Sequence, residues 1–336
     1  MKKKFDLKLY AQKAREAAAE GIVLLKNDRN VLPLQDGAKI SIFGRIQFDY
    51  YKSGTGSGGL VNTSYVVGIL DAVEQYGKYQ INHDLIDTYQ EWIKTHPFDK
   101  GQGWATEPWS QEEMPLTEEI VQKAREKSEI AIIVIGRTAG EDQDLKAEEG
   151  SYYLTKTEEE MIRLVCEKFD KTIVLLNVAS IIDMKWVEKY NPAAVLYVWQ
   201  GGQEGGNGVL DVLNGTHSPS GKLTDTIAYD LSDYPSTPYF GDAKRNIYVE
   251  DIYVGYRYFE TFAKDKVLYP FGYGLSYTSF SIVVDAFDVS EAAVSVQVTV
   301  TNTGEHYGKE VVQMYVEAPQ GKLGKTLRSL CAFAKT

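Results

Sequence analysis

The chain has 336 residues, 43% hydrophobic and 25% charged, which suits an ordinary globular protein with one large domain or two unequal ones and excludes disorder, collagen and a small disulfide scaffold. Its 36 basic and 47 acidic side chains leave a net charge of −11, so neither nucleic acid nor an anionic membrane is the expected partner. Cys166 and Cys331 stand far apart with no Cys-x-x-Cys or Cys/His cluster, so two buried free thiols are expected, without a disulfide framework or a metal site.

The start, Met1-Lys2-Lys3-Lys4, looks like the basic end of a signal peptide, yet Phe5-Asp6-Leu7-Lys8 puts charges where an apolar run of about 7–15 residues would be needed. No apolar run approaches the ~20 residues of a membrane span, and a cytoplasmic protein is expected. Residues 6–26 open with helical spacing (Leu7, Tyr10, Ala11, Ala14, Ala17, Ala18), with Asp6 as a cap, and run into the apolar stretch Ile22-Val23-Leu24-Leu25. Short apolar runs then alternate with helical patterns: Ile40–Phe43 with Tyr65–Glu74, Ile130–Ile135 with Thr157–Phe169, Ile173–Leu176 with Ile182–Lys189, and Ala193–Trp199 with Gly205–Leu213. This alternation predicts an α/β fold, a mostly parallel sheet with helices on both faces. Residues 75–128 read as a surface excursion carrying Trp104 and Trp109, for which plain packing is expected over a subsite or a subunit contact. Residues 216–278 read as a loop-rich segment closing a first domain, 1–278. From 279 the period changes to two, with Val294, Val296, Val298 and Val300 alternating with polar residues, and Val311–Val316 reads as another strand. A β-sandwich begins there, but the 58 residues from 279 to 336 fall short of the about 100 that an immunoglobulin-like sandwich needs, so a truncated second domain is expected.

Three segments could carry chemistry. Gly54-Thr55-Gly56-Ser57-Gly58-Gly59 could bring backbone N–H groups close to a ligand, but its spacing fits neither a P-loop nor a dinucleotide fingerprint, and a flexible turn is the plainer reading. The acidic stretch Gly140-Glu141-Asp142-Gln143-Asp144 follows a strand at the sheet edge where ligands collect, so Glu141 is a candidate against the alternative of a solvated acidic loop. Trp199-Gln200-Gly201-Gly202-Gln203-Glu204-Gly205-Gly206 ends another strand on that edge, and its glycines can simply start a helix. The four histidines, His83, His96, His217 and His306, lie in unrelated contexts without a nucleophile motif, and they read as surface or turn residues.

Taken in order, these segments resemble glycoside hydrolase family 3. Ala17–Asn27 with Val31-Leu32-Pro33-Leu34 is similar to the opening of that family's α/β-sandwich domain, and the resemblance continues through Gly54–Gly58, Gly140-Glu141 with Asp144, Trp199–Gly206, Pro219–Leu223, Val254–Tyr258 and Pro270–Thr278. Val300–Gly304 and Gly308–Tyr315 resemble the fibronectin type III-like domain of many members. The resemblance implies retaining β-glucosidase chemistry, in which an Asp of a (β/α)8 barrel attacks the sugar and a Glu of the α/β-sandwich domain serves as acid and then base. Glu141 falls on that glutamate and Asp144 on the neighbouring aspartate; Ala139, Asp142 and Leu145 depart from the family loop, which leaves Glu148 and Glu149 as fallback acids. Ser57 falls on a position that binds the sugar in some relatives.

No barrel of about 250 residues is present, so the resemblance implies that the nucleophile lies beyond Thr336 or in another chain, in the arrangement where these domains precede the barrel. A general acid also needs a raised pKa, which docking against the barrel would supply. The implied partners are a β-glucoside and the barrel, with no cofactor, and self-association is open. A non-catalytic carbohydrate-binding or scaffolding module of the same fold is the alternative.

Overall fold

The computed structural model describes residues 5–336, so the basic start Met1–Lys4 lies outside the described residues. The chain runs through α1 (Leu7–Gly21), β1 (Val23–Asn27), β2 (Lys39–Phe43), α2 (Ile69–Tyr76), β3 (Gln80–Ile81), α3 (His83–Ile93), α4 (Glu118–Lys127), β4 (Ile130–Gly136), α5 (Lys156–Lys168), β5 (Lys171–Asn177), α6 (Lys185–Tyr190), β6 (Ala194–Tyr197) and α7 (Gly205–Leu213). β7 (Ile227–Ala228), α8 (Tyr256–Phe262) and β8 (Val267–Tyr269) punctuate the loop-rich part, and β9 (Phe280–Val289), β10 (Val294–Asn302), β11 (Val311–Glu317) and β12 (Arg328–Lys335) follow.

Six strands form one sheet in the order β1-β6-β5-β4-β2-β3. All neighbours are parallel except β1, which pairs antiparallel with β6 through a register shift between Leu24 and Lys26. Side chains of a strand alternate between faces, so a strand covered on both must be apolar throughout. In β4, Ile132 and Val134 pack towards α2 and α7 with Ile69, Val73, Val209 and Val212, while Ala131, Ile133 and Ile135 pack towards α3–α6 with Leu85, Val121, Met161 and Val187. The α/β fold with helices on both faces is thus present as expected.

The structure differs from the sequence reading at three places. Residues 75–128 are not all excursion, because they contain β3, α3 and α4, and only the stretch between Ile93 and Glu118 is irregular. α4 buries only Val121 and Ala124, too thin an apolar stripe to announce a helix. α2 begins at Ile69 rather than Tyr65, since Asp71 accepts the Gly68 N–H at 2.9 Å and fixes the start there. Cys166 is half-buried, its thiol pushed up to about 11 by burial, whereas Cys331 is exposed on β12 and not buried as expected, because that strand is partly covered only over Arg328–Leu330 and is exposed on both faces from Cys331 on. Among the described residues no helix is long and apolar enough to cross a membrane.

Residues 280–335 form two separate antiparallel hairpins, β9–β10 and β11–β12. The second is fastened to the first part of the chain by Glu20, at the end of α1. Its carboxylate accepts from Lys309 and Lys335, with His217 Nε2 3.8 Å away, and nearby Lys222 pairs with Glu310 at 2.9 Å. Partial burial works against ionisation of Glu20, yet the two lysines hold its pKa down to about 2. A folded-state pKa below the unfolded value of 4.5 stabilises fully above pH 4.5, and that contribution is lost as the pH falls from there towards 2. Glu20→Gln should therefore lower the urea midpoint at pH 7 and flatten its decline between pH 4.5 and 2; urea curves that stay parallel to those of the unsubstituted chain would contradict this.

Candidate functional site

The chain leaves β2 towards β3 on one side and leaves β4, the neighbour of β2, towards β5 on the other. The loops after β2 and β4 therefore start out in opposite directions and leave a crevice at the carboxyl edge of the sheet, where α/β folds bind ligands. The glycine segment follows β2 and the acidic segment follows β4, so topology alone brings them to one place.

The two backbones touch. Thr55 N–H donates to Ala139 O at 3.0 Å, and Thr55 forms a parallel bridge with Gly140. A Cβ on Gly54 would stand 2.3 Å from Ala139 O, and one on Gly56, at φ +75°, would stand 2.4 Å from Glu141 Cβ. The glycines permit an approach that any side chain would block. Ser57 then gives both its N–H (2.9 Å) and its hydroxyl (2.6 Å) to one oxygen, Glu141 Oε2. With Gly59 N–H and Leu60 N–H both on Gly56 O, the N–H groups of 55, 57, 59 and 60 already have protein acceptors, unlike the open row of donors in a phosphate cradle.

The acidic loop is anchored below by Arg137, which is 1% exposed. Its guanidinium makes two 2.6 Å bonds to Glu158 and further bonds to the carbonyls of Gly136 (2.7 Å), Ser151 (3.0 Å) and Tyr153 (3.2 Å). Glu158 also completes a capping box with Thr155 at the start of α5, so one buried pair closes the loop at both ends. Asn177, the last residue of β5, joins the neighbouring turns by bonds to Tyr51 N (2.8 Å), Tyr51 O (3.0 Å) and Trp199 O (2.6 Å). Gln200 donates to Arg137 O at 3.2 Å, and Tyr50 Oη accepts Gly201 N–H at 2.8 Å. The glycines after Trp199 start α7, as the plainer reading had it, and also leave room for Tyr50, whose hydroxyl would be 1.8 Å from a Cβ on Gly205.

Ser57 and Glu141 are therefore brought together, and the other acidic candidates are not. Asp144 meets Trp109 through its carbonyl (3.0 Å), Glu149 lies 4.0 Å from Lys156, and the Glu148 carbonyl closes a local turn. Glu141 is exposed, and the Ser57 hydroxyl, then its N–H, hold the Glu141 carboxyl below its ordinary pKa, so here it is a carboxylate. The excursion lies alongside, and a cleft of about 380 Å³ opens between Gly54, Gly56, Leu60, Lys100, Trp104 and Glu107. Arg137 and Glu158 were missed in the sequence; the Thr155-x-x-Glu158 box was legible, but nothing in the sequence pairs it with an arginine 21 residues earlier.

Residues 22–277 match the glycosyl hydrolase family 3 C-terminal domain. A β-glucosidase from Ruminococcus albus is 53% identical, with 99% of this chain and 35% of that protein aligned, and β-glucosidase A from Butyrivibrio fibrisolvens is 42% identical over 96% of this chain and 43% of its own length. Among solved structures, a β-glucosidase from Paenibacillus barengoltzii superposes with a TM-score of 0.94 at 55% identity, covering 97% of this chain and 36% of that one. β-Glucosidase 3B from Thermotoga neapolitana, solved in complex with glucose, gives 0.89 at 40% identity, covering 99% and 47%. The chain thus spans less than half the length of each of these relatives.

The glycine contacts give a local test. Gly56→Ala should cost about 1–2 kcal/mol from the left-handed backbone alone, and more from the collision with Glu141. Gly58→Ala, whose Cβ would meet nothing within 4 Å, should stay within about 0.5 kcal/mol. Equilibrium urea unfolding of both variants decides; equal midpoints would show that the close approach carries no weight.

Proposed function

The chain belongs to glycosyl hydrolase family 3, and on that footing we propose that it is the acid/base-bearing part of a retaining β-glucosidase-like exo-glycosidase that releases terminal β-linked glucosyl units. The observation carrying this reading is the Ser57–Glu141 contact at the crevice between the β2 and β4 loops. A carboxyl on one loop and a hydroxyl on the facing loop is the minimum for giving a proton to a glycosidic oxygen while a sugar hydroxyl is held beside it.

In this reading a (β/α)8 barrel, in the same polypeptide or another chain, supplies the Asp nucleophile. Glu141 protonates the departing oxygen as the sugar passes to the nucleophile, and then takes a proton from the water that frees it. Ser57 holds Glu141 in its charged form, the state suited to the second step. For the first step the carboxyl must be neutral, which follows when substrate takes over the Ser57 hydroxyl and the barrel brings a second carboxylate and excludes water. The 336 residues alone would then be inactive, and β9–β12 would be the opening part of a fibronectin type III-like sandwich.

In the complete enzyme, Glu141→Ala should lower kcat on aryl β-glucosides by about 10²–10⁴-fold. Added azide should restore part of that turnover and yield a β-glucosyl azide, because a small anion fits where the carboxylate was and needs no base. Undiminished turnover, or a loss that azide leaves untouched with Asp144, Glu148 or Glu149 variants rescued instead, would overturn the assignment.

A further inference from the structure

The segment between α3 and α4 stands over the acidic loop and meets it residue by residue. Thr138 N–H donates to Trp109 O at 2.8 Å, Trp104 Nε1 donates to Asp142 Oδ2 at 2.9 Å, Gln143 Nε2 donates to Glu107 O, and Trp109 Nε1 donates to Asp144 O at 3.0 Å. Lys146 lies over the Trp109 ring, 5.2 Å from its centre. On the other side of Glu141 the loop meets Thr55 and Ser57.

The foot of the segment is fixed as well. Asp99 and Gln111 exchange bonds of 2.7 and 2.9 Å, and the buried Glu113 accepts Arg45 N–H, just past β2, at 2.9 Å. The segment is therefore tied to the sheet at its base and to the acidic loop at its tip.

One residue gives this arrangement a direction. Asp142, next to Glu141, has φ 62°, a left-handed conformation that costs a residue with a side chain about 1–2 kcal/mol and that Asp and Asn tolerate best. Glu141 and Asp142 are the two central residues of a turn closed by Gln143 N–H on Gly140 O at 3.1 Å, so the Asp142 conformation shapes the turn that carries Glu141, and Trp104 donates to its side chain.

We propose that this segment is a positioning clamp for the acid/base, with Trp104 acting through Asp142 to set where the Glu141 carboxyl points. The inference rests on the reading of Glu141 as acid/base. Trp104 and Asp142 are positioning residues: they reach the reaction only through their neighbour. A misplaced proton donor is felt most by substrates whose leaving group needs the proton, and a shift of about 1 Å can cost about 10²-fold.

The experiment measures kcat/KM of the complete enzyme on aryl β-glucosides of graded leaving-group acidity, for Glu141→Ala, Trp104→Phe, Asp142→Ala and Asp142→Asn. Trp104→Phe and Asp142→Ala should lose about 10-fold or more on the poorest leaving group and under about 3-fold on the best, less than the roughly 10²–10⁴-fold that general acid catalysis contributes in full. Asp142→Asn should be rescued on every substrate, because its amide oxygen still accepts from Trp104 and Asn tolerates the left-handed turn. A uniform loss across the series, or none, in both Trp104→Phe and Asp142→Ala while Glu141→Ala shows the graded loss would overturn the clamp and leave the acid assignment standing. An ungraded loss in Glu141→Ala would remove the acid assignment and the clamp with it. Should Trp104→Phe fail to fold, the Asp142 pair, which leaves the indole in place, decides alone.

Discussion

The site depends on a contact between two stretches of backbone that would ordinarily be held apart by side chains. Where the loop after β2 crosses the loop after β4, Gly54 and Gly56 leave no Cβ in the way of Ala139 and Glu141. Only at that separation can Ser57 present its N–H and hydroxyl to the same carboxylate oxygen. The sheet order sets these two loops side by side, because β2 and β4 are neighbours whose chains leave in opposite directions and the loops border the crevice so opened. Fold and site are thus one consequence of the same strand order.

Much of the fold was legible because β4 and β5 are buried on both faces, which forces uninterrupted apolar runs such as Ile130–Ile135 and Ile173–Leu176. What escaped was written in other terms. β3 is two residues long, and α4 is mostly polar, so neither carries enough apolar signal to be seen. The exposure of Cys331 depends on how far along β12 the hairpin is covered, a tertiary matter.

The site was legible in part and for a different reason. Glycine spacing and an acidic cluster marked the two loops, and family resemblance selected Glu141 and Ser57 within them. The partners that hold Glu141 in place could not be read, since each bond joins residues distant in sequence: Arg137 to Glu158 across a loop, and Trp104 to Asp142 across a whole helix and strand. Burying Arg137 and Glu158 together is costly in itself, and removing either partner alone typically costs about 3–5 kcal/mol. What the pair contributes is a fixed base for the acidic loop, with Ser57 on one side and the excursion on the other.

The most direct measurement is a structure of the complete protein holding an uncleaved thio-linked disaccharide of β-linked glucose. A Glu141 carboxyl oxygen within about 3.2 Å of the bridging atom, with Ser57 turned from that carboxyl to a sugar hydroxyl, is the predicted result. A bridging atom out of reach of Glu141 and contacted by another carboxyl would contradict the account at its centre.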